Sequence, residues 1–170
     1  MHLLLAQQGA LADDDEAIDL GQGPADIVFI SAADTELSSL SVALSGLTGA
    51  PSLRLANTMT LSHPLSIDVY AEKTIAGSKL VIVRVLGGES YWPYGLEVVH
   101  ATCLANGIPL VVLPGDDKPD TSLQRFNSAD PDFVLLLWGY LNHGGGQNAA
   151  NFLRSCQSVI SDGDWDIAPP

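Results

Sequence analysis

The chain has 170 residues, of which 46% are hydrophobic, so it can form one globular domain around a single core. Asp and Glu outnumber Lys and Arg by 20 to 7, and the net charge of −13 argues against binding to nucleic acid or an anionic membrane. No apolar run approaches the ~20 residues of a membrane-spanning helix, and the opening residues lack the basic flank of a signal peptide, so a cytoplasmic location is expected.

Five short apolar runs rich in Val, Ile and Leu predict the strands of a parallel sheet. Each run is bounded by Gly, Pro, Asn or Asp, and a continuous apolar run is typical of a strand that is covered on both faces. The runs are residues 2–6, 26–30, 53–56, 80–85 and 110–113.

Helix signals lie between these runs. Asp34 is a candidate N-terminal cap, Pro64 and Pro93 suit the first turns of two further helices, and Gly107 suits a helix end. The apolar segment at 133–141 fits a helix or a sixth strand, and a helix is favoured. A last helix is indicated by apolar residues at helical spacing, which are Phe152, Cys156, Val159 and Ile160.

The alternation of strands and helices predicts an α/β fold, a flavodoxin-like three-layer sandwich with a five-stranded parallel sheet. Residues 1–170 form a single domain in this interpretation. The tail at 161–170 contains Trp165 but no element that would bury it, so the natural chain is expected to continue. Cys103 and Cys156 lie in helical patterns without metal-ligand spacing and are predicted to be buried thiols.

The connector at 86–95, which reads LGGESYWPYG, is unusually aromatic. In an open parallel sheet, ligands bind beyond the carboxyl ends of the strands, where this connector lies. Its candidate contact residues are Gly87, Gly88, Tyr91, Trp92 and Tyr94. One interpretation is that the rings contact a planar ligand or a partner surface. The other, which the residues alone favour, is that they cover the sheet edge and pack against residues 138–140.

A second polar connector, PGDDKPD at 114–120, follows the last predicted strand. Asp116 and Asp117 with Lys118 fit a site for a divalent cation. The simpler interpretation is a solvated turn that ends at an Asp120 or Thr121 cap. A response-regulator receiver is excluded, because Ala56-Asn57 stands where its phosphate-accepting aspartate would be.

Three consecutive glycines at 144–146 precede the last predicted helix. They fit a helix N-terminus that binds an anion or a neighbouring loop, with Asn142, His143 and Asn148 as hydrogen-bond donors. They also fit a plain helix stop and restart, with Gly144 as the C-terminal cap. No phosphate-binding lysine motif, GxSxG elbow or HExxH helix occurs in the sequence.

Several segments together resemble the N-terminal region of the CobN family. They cover essentially the whole chain and are residues 2–6, 26–36, 84–88, 90–95, 113–120 and 140–148. CobN is the large subunit of the aerobic, ATP-dependent cobaltochelatase and is related to the large H subunit of magnesium chelatase.

The resemblance implies a part in the insertion of Co(II) into hydrogenobyrinic acid a,c-diamide during cobalamin biosynthesis. It also implies partner subunits of the CobS and CobT type, which hydrolyse ATP. Members of this family are several times longer than this chain, so the segment is expected to have no catalytic residues and no bound cofactor of its own.

The resemblance leaves two roles open for the carboxyl edge, which are docking or scaffolding and a contact with the tetrapyrrole. Docking is favoured, because only Arg84, Lys118 and Arg54 are at hand to attract a ring with several carboxylates. The alternative to the whole family interpretation is a stand-alone flavodoxin-like module that binds a small ligand or a protein.

Overall fold

The computed structural model describes residues 16–163 and 165–170, which form one parallel sheet covered by helices on both faces. The strands are β1 (Ile27–Ser31), β2 (Leu53–Asn57), β3 (Leu80–Val85) and β4 (Leu110–Pro114). They are paired in the order β2-β1-β3-β4, and all three pairs are parallel. This is the order of the first four strands in the flavodoxin-like arrangement.

The α/β class and the parallel sheet are confirmed, but the part of the chain that the structure describes contributes four strands rather than the predicted five. That part contains four strands, each at a predicted run. The fifth predicted strand, at 2–6, lies outside the described residues.

Five α-helices of the described residues surround the sheet. They are α1 (Asp34–Ser45), α2 (Pro64–Lys73), α3 (Pro93–Asn106), α4 (Pro131–His143) and α5 (Gly146–Ile160). Pro64 and Pro93 open their helices as predicted, and Gly107 ends α3 with a φ of 65°. Asp34 is not the cap of α1, because Ala33 holds that position and the Asp34 carboxylate instead accepts a hydrogen bond from Asn57.

Side chains alternate along each strand and so build two apolar clusters, one on each face of the sheet. In β1, Ile27 and Phe29 contribute to one cluster while Val28 and Ile30 contribute to the other. The cluster of Val28 contains α2 and α3, and the cluster of Phe29 contains α1, α4 and α5. The sheet is therefore the middle layer of three.

Within the described residues, side chains rather than another strand cover the outer edge of β4. The Asn127 carboxamide accepts a hydrogen bond from the backbone N–H of Val112 at 2.7 Å, and the Ser128 hydroxyl accepts one from Leu110 at 2.9 Å. The chain then enters α4, so the apolar segment at 133–141 is helical, as favoured from the sequence. An open strand edge invites pairing with other chains, and this segment blocks it.

Both cysteines are buried free thiols, as predicted. Burial raises the pKa of Cys103 to about 12, and burial raises the pKa of Cys156 as well. Because the thiolate is the reactive form, we expect both thiols in the folded chain to react with a disulfide reagent at pH 8 more than about a hundredfold slower than in urea. Complete labelling of either thiol without unfolding would contradict this packing.

Candidate functional site at the carboxyl edge of the sheet

The connectors that follow β3 and β4 meet at the carboxyl edge of the sheet. The N–H of Gly115 donates a hydrogen bond to the carbonyl of Val85 at 2.8 Å. Gly88 has a φ of 76° and approaches the Asp120 carboxylate so closely that a Cβ there would lie 2.7 Å from Oδ2. The two connectors line a cavity of about 180 Å³. The aromatic connector and the aspartate turn therefore share one surface.

Arg84, the penultimate residue of β3, links four segments at this edge. Its guanidinium Nη1 lies 2.9 Å from Glu36 Oε1 on α1. Its Nε donates to the carbonyl of Pro114 at 2.9 Å, and its Nη2 donates to the Asn142 carboxamide at 2.8 Å. Only 4% of the residue is exposed, so this charge is paired inside the protein.

Glu36 receives further support from β1. The Ser31 hydroxyl donates to Glu36 Oε2 at 2.9 Å and also accepts from the N–H of Ala33 at 3.1 Å. Burial lowers the pKa of Arg84, whereas the carboxylates of Glu36 and Asp116 act in the opposite direction. A small cavity of about 70 Å³ lies beside Ser31, Glu36 and Arg84.

Trp92 is the one ring of the aromatic connector that is buried, with 6% exposed. Its indole lies directly on Gly95, where a Cβ would come within 1.9 Å of the ring, and its Nε1 donates to the carbonyl of Leu61 at 3.2 Å. The ring belongs to the apolar cluster with α2 and α3, whereas Trp138 packs on the opposite face. Trp92 therefore does not pack against Trp138 as predicted, because the sheet lies between the two rings.

Tyr91 and Tyr94 remain on the surface. The Tyr94 hydroxyl donates to the Asp68 carboxylate on α2 at 2.8 Å, and this hydrogen bond raises the pKa of Tyr94. The first glycine of the connector, Gly87, has a φ of 88° and lies next to Tyr91. The tyrosines thus offer aromatic surface at the edge, while Trp92 fixes the connector to the core.

The aspartate turn is a solvated loop with little internal bonding. Asp116, Asp117 and Lys118 are exposed, and Asp116 accepts a hydrogen bond from the N–H of Lys118 at 3.0 Å. Asp120 caps the short 3-10 helix Thr121–Phe126. Across residues 16–163 and 165–170, no three His, Cys, Asp or Glu side chains lie close enough together to hold a metal ion.

The glycine segment joins the ends of α4 and α5 beside α1. Gly144 and Gly145 have φ values of 68° and 89°, and Gly144 is the C-terminal cap of α4. His143 Nδ1 lies 2.9 Å from the carbonyl of Gly139, and the Asn148 carboxamide donates to the carbonyl of Gly144 at 2.7 Å. These contacts are those of a helix stop and restart. The segment lines a cavity of about 300 Å³ together with α1.

The three cations that could attract an anionic ring, Arg84, Lys118 and Arg54, do not lie together at one site. Arg84 is paired with Glu36, and Arg54 donates to the carbonyl of Gly23, which precedes β1. Lys118 is the exposed cation of the aspartate turn. The edge therefore presents one exposed lysine among several carboxylates.

Sequence reasoning missed Glu36 and Ser31, which complete the Arg84 network. The available signal was Arg84 itself, because a charged residue within a buried apolar strand requires partners. The pattern did not show which acid would supply them, since Glu36 and Asn142 lie 48 and 58 residues away in the chain.

No helix in the described part of the chain is long and apolar enough to cross a membrane. Among protein families, no family model matches the sequence.

Curated proteins and solved structures are similar to nearly the whole chain. The aerobic cobaltochelatase subunit CobN of a Sinorhizobium species is 50% identical over 161 residues, which are 95% of this chain and 13% of that protein. CobN of Pseudomonas aeruginosa strain PAO1 is 36% identical over 171 aligned positions, covering 100% of this chain and 14% of that protein.

One structural neighbour is the catalytic subunit of cobaltochelatase from Mycobacterium tuberculosis. It superposes with a TM-score of 0.67 and 25% identity over 88% of this chain, which corresponds to 11% of that subunit. The chain thus spans about one seventh of the length of the curated relatives that it matches. These matches relate nearly the whole chain to one part of CobN, a subunit of aerobic cobaltochelatase.

Proposed function

We propose that this chain is a flavodoxin-like domain in the N-terminal region of a cobaltochelatase large subunit. The complete subunit inserts Co(II), its metal substrate, into hydrogenobyrinic acid a,c-diamide in aerobic cobalamin biosynthesis. Partner subunits of the CobS and CobT type hydrolyse the ATP. The proposal is supported by the alignment of 95% and 100% of this chain with part of two CobN proteins, at 50% and 36% identity.

The domain serves docking or scaffolding within that subunit rather than recognition of the tetrapyrrole. The observation that carries this role is the burial of Trp92 on Gly95, which removes the largest flat ring of the connector from the surface. Stacking on a planar ligand requires an accessible face.

The electrostatics of the edge support the same role. A ring with several carboxylates is attracted by unpaired cations, and Arg84 is occupied by Glu36. The exposed acids Asp116 and Asp117 repel such a ring. Protein docking makes no comparable demand for free positive charge.

Tyr91→Ser/Tyr94→Ser in the complete subunit tests this role. We expect the dissociation constant for hydrogenobyrinic acid a,c-diamide to change less than about twofold, while cobalt insertion with both partner subunits and ATP falls at least about threefold because the assembly is weakened. Absorbance of the ring measures insertion, and a fluorescence titration measures binding.

The matched control is Val42→Ser/Leu104→Ser, which removes exposed apolar side chains elsewhere on the domain. It should leave both quantities unchanged. A selective loss of ring affinity in the tyrosine variant would show that the edge recognises the tetrapyrrole. A wild-type subunit that inserts no cobalt under these conditions would overturn the proposed activity itself.

A further inference from the structure

Five large apolar side chains are exposed at the carboxyl edge of the sheet and form what we call the edge patch. Met59 follows β2, Leu65 lies in the first turn of α2, and Leu86, Tyr91 and Tyr94 follow β3. Their exposed fractions are 70%, 54%, 54%, 46% and 47%, respectively. Because the carboxyl ends of parallel strands lie at the same edge, these side chains share one side of the domain.

Hydrogen bonds tie the segments that carry the edge patch to one another. Trp92 donates to the carbonyl of Leu61, so the connector after β3 is fixed to the one after β2. Tyr94 donates to Asp68, which lies one helical turn beyond Leu65 on α2. The patch is therefore carried by a connected framework and not by independent loops.

The surroundings of the patch are acidic. Exposed carboxylates at this edge belong to Asp34, Asp68, Asp116 and Asp117. Arg125, which follows the aspartate turn, is already engaged by Glu89 and by Glu97. A partner with acidic residues would be repelled here, whereas lysines and arginines around an apolar centre would be attracted.

We infer that the edge patch is the surface through which this domain docks on another part of the same large subunit, which presents apolar side chains within a rim of lysines and arginines. This rests on the proposed function and adds the surface and the chemistry of its partner. The chain matches only 13% and 14% of the two CobN relatives, so most of such a subunit is available as the occupant. Exposed apolar surface rimmed by charge is typical of a protein interaction site.

Limited proteolysis of the complete subunit tests the docking. The variant Met59→Ser/Leu65→Ser removes apolar contacts, and Asp117→Lys reverses one charge of the rim. We expect each to raise the rate of cleavage between this domain and the remainder of the subunit, by roughly tenfold for the first and about threefold for the second. Raising the NaCl concentration to about 1 M should also accelerate cleavage of the wild type, because salt screens the charged rim.

Asp117 keeps the test valid if the serine variant unfolds, because its side chain is exposed and we expect its replacement to leave the fold intact. Circular dichroism checks the fold of each variant, and Val42→Ser/Leu104→Ser is the control for lost apolar surface. An unchanged cleavage rate in both test variants would overturn the inference that the edge patch is a docking surface. If the serine variant is cleaved faster but neither Asp117→Lys nor salt changes the cleavage rate, the inference that the partner surface carries a rim of lysines and arginines would be overturned.

The cleavage rate is measured independently of chelatase activity, so a failure of the docking inference can be distinguished from a failure of the proposed function. An active wild-type subunit with unaltered cleavage in the variants would reject the edge patch and retain the proposed function. Faster cleavage in a subunit that inserts no cobalt would retain the docking surface and reject the proposed activity.

Discussion

Gly95→Ala is expected to lower the free energy of unfolding by about 3 kcal/mol, the scale of losing a buried tryptophan from a core. A Cβ at this position would lie 1.9 Å from Cε2 of Trp92, so the ring must leave its place. The hydrogen bond from the indole to Leu61 would then be lost as well. Urea denaturation followed by circular dichroism measures the change.

A double-mutant comparison separates the steric cause from a general glycine effect. In a Trp92→Ala background, Gly95→Ala should cost less than about 1 kcal/mol, because the clash has been removed. Gly23→Ala is the matched control, since a Cβ there would meet no atom within 4 Å. Equal costs of Gly95→Ala with and without the Trp92 ring would contradict the packing described for this connector.

Arg84→Met is expected to lower the free energy of unfolding by about 3–5 kcal/mol, as is usual when one partner of a buried ion pair is removed. The change would leave the half-buried Glu36 carboxylate without its cation and the carboxamide of Asn142 and the carbonyl of Pro114 without their donors. Chemical denaturation near neutral pH measures the loss.

Removing both charges should recover part of this stability. Arg84→Met/Glu36→Met leaves no uncompensated buried charge, so we expect it to be more stable than Arg84→Met alone by at least about 1 kcal/mol. Arg125→Met, which breaks an exposed cluster, should destabilise the fold far less than Arg84→Met, because solvent screens exposed ion pairs. If Arg84→Met were no more harmful than Arg125→Met, Arg84 would not be the link between the four segments.

The sheet could be predicted from the sequence because buried parallel strands leave a strong local signal. The run at 80–85 has the bounds of β3, and β1, β2 and β4 begin or end within one residue of their predicted runs. The shared edge of the connectors follows from that topology, since parallel strands end on the same side. Gly107, Pro64 and Pro93 affect only the helix ends at which they lie. Their roles could therefore also be predicted from the sequence.

The partners of individual side chains could not be predicted, because they depend on contacts distant in the sequence. Whether Trp92 faced solvent or the core depended on Leu61, 31 residues earlier. The neutralisation of Arg84 depended on the position of α1 and the end of α4. The fifth strand was proposed from apolar content alone, at residues that the structure does not describe.

The most direct test is hydroxyl-radical footprinting of Tyr91 and Tyr94 in the complete large subunit, with and without hydrogenobyrinic acid a,c-diamide. If the edge is covered by protein, both tyrosines should be oxidised several-fold more slowly than their exposure in this domain implies, and the ring should change nothing. Rapid oxidation that the tetrapyrrole suppresses would mean that the edge binds the ring, and it would contradict docking.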